Sequence, residues 1–438
     1  MISFNNSDCE QIHRRDCLKI GAVGLLGLSF SDLLRIESHG ATESTGRAKN
    51  IIMIWLAGGP STIDMWDLKP DAGDKIRGEF KPIDTSASGI QISEHLPQTA
   101  KVIDQCTLVR SLHHSIPSHG PGTVYMHTGN KPTPALTYPS LGSIASRLLE
   151  CPTDMPPYVA FDGGRDGATG AGYLGPAYNP FEVEGNAGNG QLRVRGISLP
   201  SGVSLDQLED RNRLLKSFDR RLSKLDNAAE LVTGLDQFQQ RAMDILRSTR
   251  TREAFDLDKE PGKLRDRYGR DNFGQGILAA RRLVEAGVRF VTISSGGWDT
   301  HGNNFKSLRE NHLPTVDRSL SALIEDLRDR GQLEETIVYC VGEFARTPKI
   351  NDKSGRDHWA RSMAVLLAGG RFPKGFAYGS TDKEGMEPAE NACTPDDVSA
   401  TIVRAMGIDP QEELTTPSSR PIALFREGQV LSDLVGNG

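Results

Sequence analysis

Cysteine is sparse and unpatterned in this chain of 438 residues, with six in all and none spaced Cys-x-x-Cys. A disulfide framework and a zinc ribbon are therefore not expected. Cys9 and Cys17 lie near the N-terminus, and Cys106, Cys151, Cys340 and Cys393 are scattered. Cys340 falls inside an apolar run, where it reads as a small buried hydrophobe. Positive charge is not in surplus either. Lys and Arg number 51 against 57 Asp and Glu, a net charge of -6, with both signs interspersed. Without a basic stripe, nucleic acid is not an expected partner. The apolar stretch from Ile20 to Phe30 is too short and too glycine-rich to span a bilayer, and no internal repeat is present. The length suits one large α/β domain with insertions, or two domains.

Arg14-Arg15-Asp16-Cys17-Leu18-Lys19 precedes that apolar stretch, and the combination resembles a twin-arginine export signal. Cys17 stands where such signals usually carry Phe, and Ser38-x-Gly40 is the nearest approach to an Ala-x-Ala cleavage site. The expectation is a signal over residues 1–40, a linker over 41–49, and export in the folded state by the twin-arginine machinery. The destination would be the periplasm or cell surface, with the leader either removed or kept as an anchor.

From Asn50 to Leu56 the chain is apolar after its first residue and predicts a fully buried strand, ending in the turn Ala57-Gly58-Gly59-Pro60-Ser61. Asp64 and Asp67 follow, at the edge where parallel sheets bind ligands; each could equally cap the turn. A second apolar run, Cys106 to Val109, leads into a segment with His113, His114 and His119, and then a helix ending at Thr128-Gly129 that contains His127. Pro121 suits its first turn, which sets Ser118 and His119 beside exposed amides, a ready anion site. Residues 161–189 are rich in Gly, Asn, Pro and Tyr and read as a long irregular loop. Residues 204–255 carry a leucine-rich helical pattern, expected as an inserted subdomain of two amphipathic helices. Sheet logic then returns, with strands at 288–294, 336–341 and 364–368 and helices at 276–286, 313–330 and 396–406. That alternation predicts an α/β fold with a mainly parallel sheet.

Two clusters carry the chemistry. Gly296-Gly297-Trp298-Asp299-Thr300-His301 follows one strand, and Gly355-Arg356-Asp357-His358-Trp359 lies about sixty residues later, with Glu343 ending the strand between them. Carboxylate and imidazole at strand ends, closed by a distant His, suit a divalent cation.

This order of strand-end Asp and His, helix, strand-end carboxylate and late His resembles the alkaline phosphatase superfamily, which includes the sulfatases. With the leader, the Gly58-Gly59-Pro60-Ser61 turn and Gly342-Glu343-Phe344-Ala345-Arg346-Thr347-Pro348, it is similar to an exported bacterial family of unknown function often labelled sulfatase-like. The resemblance covers about Lys49 to Leu434. It implies an alkaline-phosphatase-like three-layer sandwich over residues 50–434, with the helical segment inserted. It also implies that Asp299, His301 and His358 hold a first metal, with Glu343 and Asp64 completing or neighbouring the shell. Where the superfamily has an Asp-His pair, Glu343-Phe344 keeps the carboxylate and loses the imidazole. No Cys-x-Pro-Ser-Arg sulfatase signature is present, and alignment on Thr128-Gly129 puts His119 at the nucleophile position with Ser118 before it.

The expected function is an exported metal-dependent hydrolase of phosphate or sulfate esters, acting on an anionic small molecule or glycan. Attack comes from water activated by the cation or from Ser118, with His119 facing the reacting group. Arg346 or Arg356 offers a planar fork to its oxygens, and Asp357 orients the imidazole of His358. The cation is Zn, Mn or Fe, with Ca or Mg also admitted. Two alternatives stand: a non-catalytic metal-containing periplasmic or surface binding protein, and a structural partner acting through the helices of 204–252.

Overall fold

The computed structural model describes residues 48–161, 168–189, 191–194, 244–245, 247–416 and 419–435. The expected leader and most of the expected helical insertion lie outside these residues. The described end of the insertion includes a helix, Thr249–Phe255, capped by the Ser248 hydroxyl.

Among the described residues, nine strands form the central sheet: β1 (Asn50–Leu56), β2 (Cys106–Leu112), β3 (Tyr158–Phe161), β4 (Phe181–Asn186), β5 (Gln191–Val194), β6 (Phe290–Ser295), β7 (Thr336–Val341), and, after the two-stranded hairpin β8 (Ala345–Arg346) and β9 (His358–Trp359), β10 (Met363–Ala368) and β11 (Phe376–Tyr378). The order across the sheet is β11-β2-β10-β7-β1-β6-β3-β4-β5. β1 pairs in parallel with both β6 and β7, whereas β10 and β5 run antiparallel to their neighbours. The mainly parallel α/β sandwich expected from the alternation of strands and helices is thus present.

Every residue of β1 is buried, as a strand covered on both faces requires. The pleat sends Ile52, Ile54 and Leu56 into one apolar layer, shared with α3 (Asn272–Glu285) and α4 (Leu313–Asp329). Ile51, Met53 and Trp55 enter the other, shared with α1 (His119–Thr128), α2 (Leu141–Leu148) and α5 (Pro395–Ala405). Each such buried side chain contributes about 1.5–3 kcal/mol. Pro395 opens α5 behind a Thr394/Asp397 capping box, and Gly129 ends α1 in the left-handed region at φ 63°.

One expectation fails here. Residues 161–189 are not loop throughout, since Phe181–Asn186 joins the sheet parallel to β3. Phe181 and Val183 alternate inward with Glu182 and Glu184 outward, a period-two signal too short to stand out from its Gly-rich surroundings.

Topology gathers the site. β1, β2, β6 and β7 share one direction, so Gly58, His119, Asp299 and Glu343 all leave the sheet at one edge. The antiparallel β10 enters at that edge and brings His358 with it.

Candidate metal centre

Asp299 follows the end of β6, where Trp298 is fully buried and its amide donates to the Ala57 carbonyl at 3.2 Å. Gly58 lies against this turn at φ 118°, and a Cβ there would sit 2.5 Å from the Asp299 nitrogen, so only glycine fits. His358 sits on β9, held in register opposite Arg346 of β8. His119 is the first residue of α1 and packs against Phe344, ring centroids 5.1 Å apart; Phe344 also meets His358 at 4.6 Å.

Three imidazoles converge on the Asp299 carboxylate. His301 Nε2 lies 3.0 Å and His358 Nε2 3.2 Å from Oδ1, while His119 Nε2 lies 3.3 Å from Oδ2. His301 Nε2 and His358 Nε2 are 3.0 Å apart. The opposite nitrogens all face acceptors. His119 Nδ1 is 2.6 Å from Glu343 Oε1, His301 Nδ1 is 2.6 Å from Asp357 Oδ1, and His358 Nδ1 is 3.0 Å from the Pro117 carbonyl. These acceptors place the proton on Nδ1 in each neutral ring, leaving three Nε2 lone pairs aimed at one carboxylate and at one another. Such an arrangement repels itself unless a positive charge sits among them. Ligand atoms about 3.0–3.4 Å apart are the spacing set by a cation bound at about 2.0–2.1 Å. The residues fit a divalent metal: His119, Asp299 and His358 can each offer one atom to a single ion, and His301 Nε2 lies 3.0 Å from both Asp299 and His358.

Electrostatics agree. Burial would raise the Asp299 carboxyl, but the hydrogen bond and charge of Arg346, helped by His358 and His301, hold it down to about 2. Burial lowers His358, opposing a second proton on that ring. The hydrogen bond from His301 keeps Asp357 below the usual carboxylate range. Asp299 and His301 remain 44 and 45% exposed, so the cluster is open to solvent.

Several expected residues are elsewhere. Asp64 is not beside the cluster as a ligand. Both its oxygens receive Arg356, at 2.8 Å each, and Oδ2 also accepts from Ser61 at 2.6 Å and Asn304 at 2.8 Å. Arg356 is spent in turn: beyond Asp64, its donors go to the Ile76, Thr347 and Pro348 carbonyls. Arg346 is buried and donates to the Gly59 carbonyl at 2.7 Å, to the Gly58 carbonyl and to Asp299. It braces the carboxylate instead of presenting a fork to an anion. Glu343 stands behind His119, where Oε1 also accepts from the Gly58 amide at 2.9 Å. Its Oε2 is buried without a partner among the described residues. Asp67 binds Lys69 and Thr381. Ser118 caps α1 by position only, with no side-chain cap bond.

Asp357 orients His301, not His358. Neighbours in extended chain point to opposite sides, so Asp357 turns away from the ring beside it. That alternation was the available signal. The Pro117 carbonyl and Asn351, which holds Asp357 at 3.3 Å and the His301 carbonyl at 3.0 Å, left no signal in the sequence.

Fold and site together define an α/β sandwich bearing a three-imidazole, one-carboxylate cluster at the strand-end edge of its sheet. The chain belongs to the family described as "Protein of unknown function (DUF1501)", which matches residues 48–435. No curated protein matches it in sequence. Solved structures overlapping it include a phosphonate monoester hydrolase from Silicibacter pomeroyi, 11% identical over 83% of this chain and 74% of that one, TM-score 0.40. Others are the alkaline phosphatase of the Antarctic bacterium TAB5, 11% identical over 83% and 99%, TM-score 0.38, and a sulfatase from Pseudoalteromonas sp., 14% identical over 84% and 70%, TM-score 0.38. Overlaps this partial carry nothing about activity.

Proposed function

We propose that this protein is a metal-dependent hydrolase of phosphate or sulfate esters. The observation that carries the reading is the convergence of His119, His301 and His358 Nε2 on Asp299, each ring fixed from behind by an acceptor. His119, Asp299, His301 and His358 would hold the ion. A divalent cation there would polarise an ester oxygen and make water acidic enough to react near neutral pH. The chain's own residues do the rest. Arg346 keeps Asp299 ionised and fixes its plane through the Gly58 and Gly59 carbonyls. Glu343 and Asp357 hold the tautomers of His119 and His301, the role acceptors play behind ligating histidines. The first amides of α1 lack intrahelical partners and face an anion at His119 favourably. Ser118 is exposed at that same helix start, which supports keeping its hydroxyl as an alternative to water as nucleophile.

Elemental analysis tests this on wild type and Asp299→Ala/His358→Ala, alongside release of phosphate and sulfate from small aryl esters. About one equivalent of metal and metal-dependent turnover in wild type, with both lost in the variant, is expected. Metal without turnover would leave a metal-containing binding protein. That second reading is favoured by one observation: Arg346 and Arg356, the two arginines expected to offer a fork to the ester, are buried and committed to other partners. The Arg14-Arg15 leader supports a further proposal, that the protein is exported by the twin-arginine route to the periplasm or cell surface.

A further inference from the structure

The cluster accounts for a reacting group and leaves the body of an ester without a seat. Beside it opens a cleft of about 750 Å3 whose wall includes His358 and Trp359, within the range of about 300–1,000 Å3 that ligand clefts occupy. Its walls are fixed by internal bonds. Trp359 Nε1 donates to the Met386 carbonyl at 2.9 Å, His113 Nδ1 donates to the Cys393 carbonyl at 3.0 Å, and His114 Nε2 donates to the Glu343 carbonyl at 2.9 Å. The seat is therefore formed before any ligand arrives. Trp359, Pro117 and Pro388 supply apolar plates, while Ser115, Thr394 and Lys131 supply polar groups among them. Trp359 is half-buried, with the Arg361 guanidinium 5.5 Å from its ring centroid and paired to Glu387.

We propose that this cleft binds the carbohydrate part of an anionic ester, with a sugar ring stacked on Trp359 and the ester group reaching His358. The proposal rests on the hydrolase reading for its second half only. A pyranose has apolar C–H faces and a rim of hydroxyls, which matches aromatic and proline plates alternating with donors and acceptors. Thr394 and Lys131 already bond Asp397 and Glu427, so the exposed Ser115 hydroxyl is the wall group a sugar hydroxyl can bond and an alkyl body cannot. Contiguity completes the case, because His358 belongs to both the cluster and the cleft wall.

The full chain is screened on an array of neutral, sulfated and phosphorylated oligosaccharides. Affinities of the bound members are then measured by calorimetry for wild type, Trp359→Ala and Trp359→Phe, with each variant's melting temperature confirming its fold. The expected result is binding that weakens about tenfold or more in Trp359→Ala and recovers in Trp359→Phe, since stacking needs a ring. No bound oligosaccharide, or equal affinity in all three proteins, overturns the assignment of the cleft. Release of phosphate or sulfate judges the hydrolase reading separately. Turnover of aryl esters without oligosaccharide binding refutes the cleft alone, and Trp359-dependent binding without turnover refutes the hydrolase reading alone.

Discussion

Replacing Arg356 by Met tests whether Asp64 is architecture or ligand. In the native protein the pair is sealed, with side-chain exposures of 0% for Arg356 and 1% for Asp64. All five guanidinium N–H groups have acceptors: two on Asp64 and one each at the carbonyls of Ile76, Thr347 and Pro348. Removing one partner of a buried ion pair costs about 3–5 kcal/mol, because the other charge stays buried and unpaired. The three carbonyls lose donors as well, at up to about 1–3 kcal/mol for each that water cannot reach. A loss of at least about 4 kcal/mol is therefore expected, a large share of the roughly 5–15 kcal/mol that holds a domain together. Asp64→Asn should lose somewhat less, since Ser61 and Asn304 can still bond the amide. The double variant should be more stable than the sum of the single losses predicts, by about 2 kcal/mol or more. Urea unfolding of the full chain gives the free energies, and metal content is read on the same preparations. Asp64→Asn with wild-type stability but no metal would refute the reasoning and return Asp64 to the ligand shell.

Two further outcomes follow from the same geometry. Asp357→Ala removes the acceptor behind His301 at a position 55% exposed, so metal affinity should fall about 10–100-fold while the melting temperature without metal moves little; unchanged affinity in a competition titration would show that Asp357 does not orient the ring. Acid should destabilise the fold through His114 and His127, both pushed by burial from 6.5 down to about 4. Their folded values lie below the unfolded one, so the stability they contribute is complete above pH 6.5 and lost as pH falls towards 4. The slope is up to about 1.4 kcal/mol per pH unit for each ring. His127→Phe, which keeps a ring against Trp55, should remove roughly half of that slope, and melting temperatures flat between pH 7 and 4.5 would sink the account.

The sequence by itself determined the layers and the edge at which chemistry gathers. The mostly apolar runs Asn50–Leu56 and Thr336–Val341 state their own burial, because a strand covered on both faces is built mainly from apolar residues. The Gly58-Gly59 turn, Asp299-x-His301 and His358 were legible for a similar reason: local backbone demands and ligand chemistry are written in residue type. Tertiary structure alone decided partnership. Asp64 and Arg356 are 292 positions apart, and Glu343 and His119 are 224 apart. Nothing in residue type says which carboxylate meets which cation. Asp299 and Asp64 both end up beside a buried arginine, yet one is braced in the open with three imidazoles and the other is sealed in the core. The difference lies in where the β-edge turns place them, and an exposed carboxylate can take a metal while a saturated one cannot.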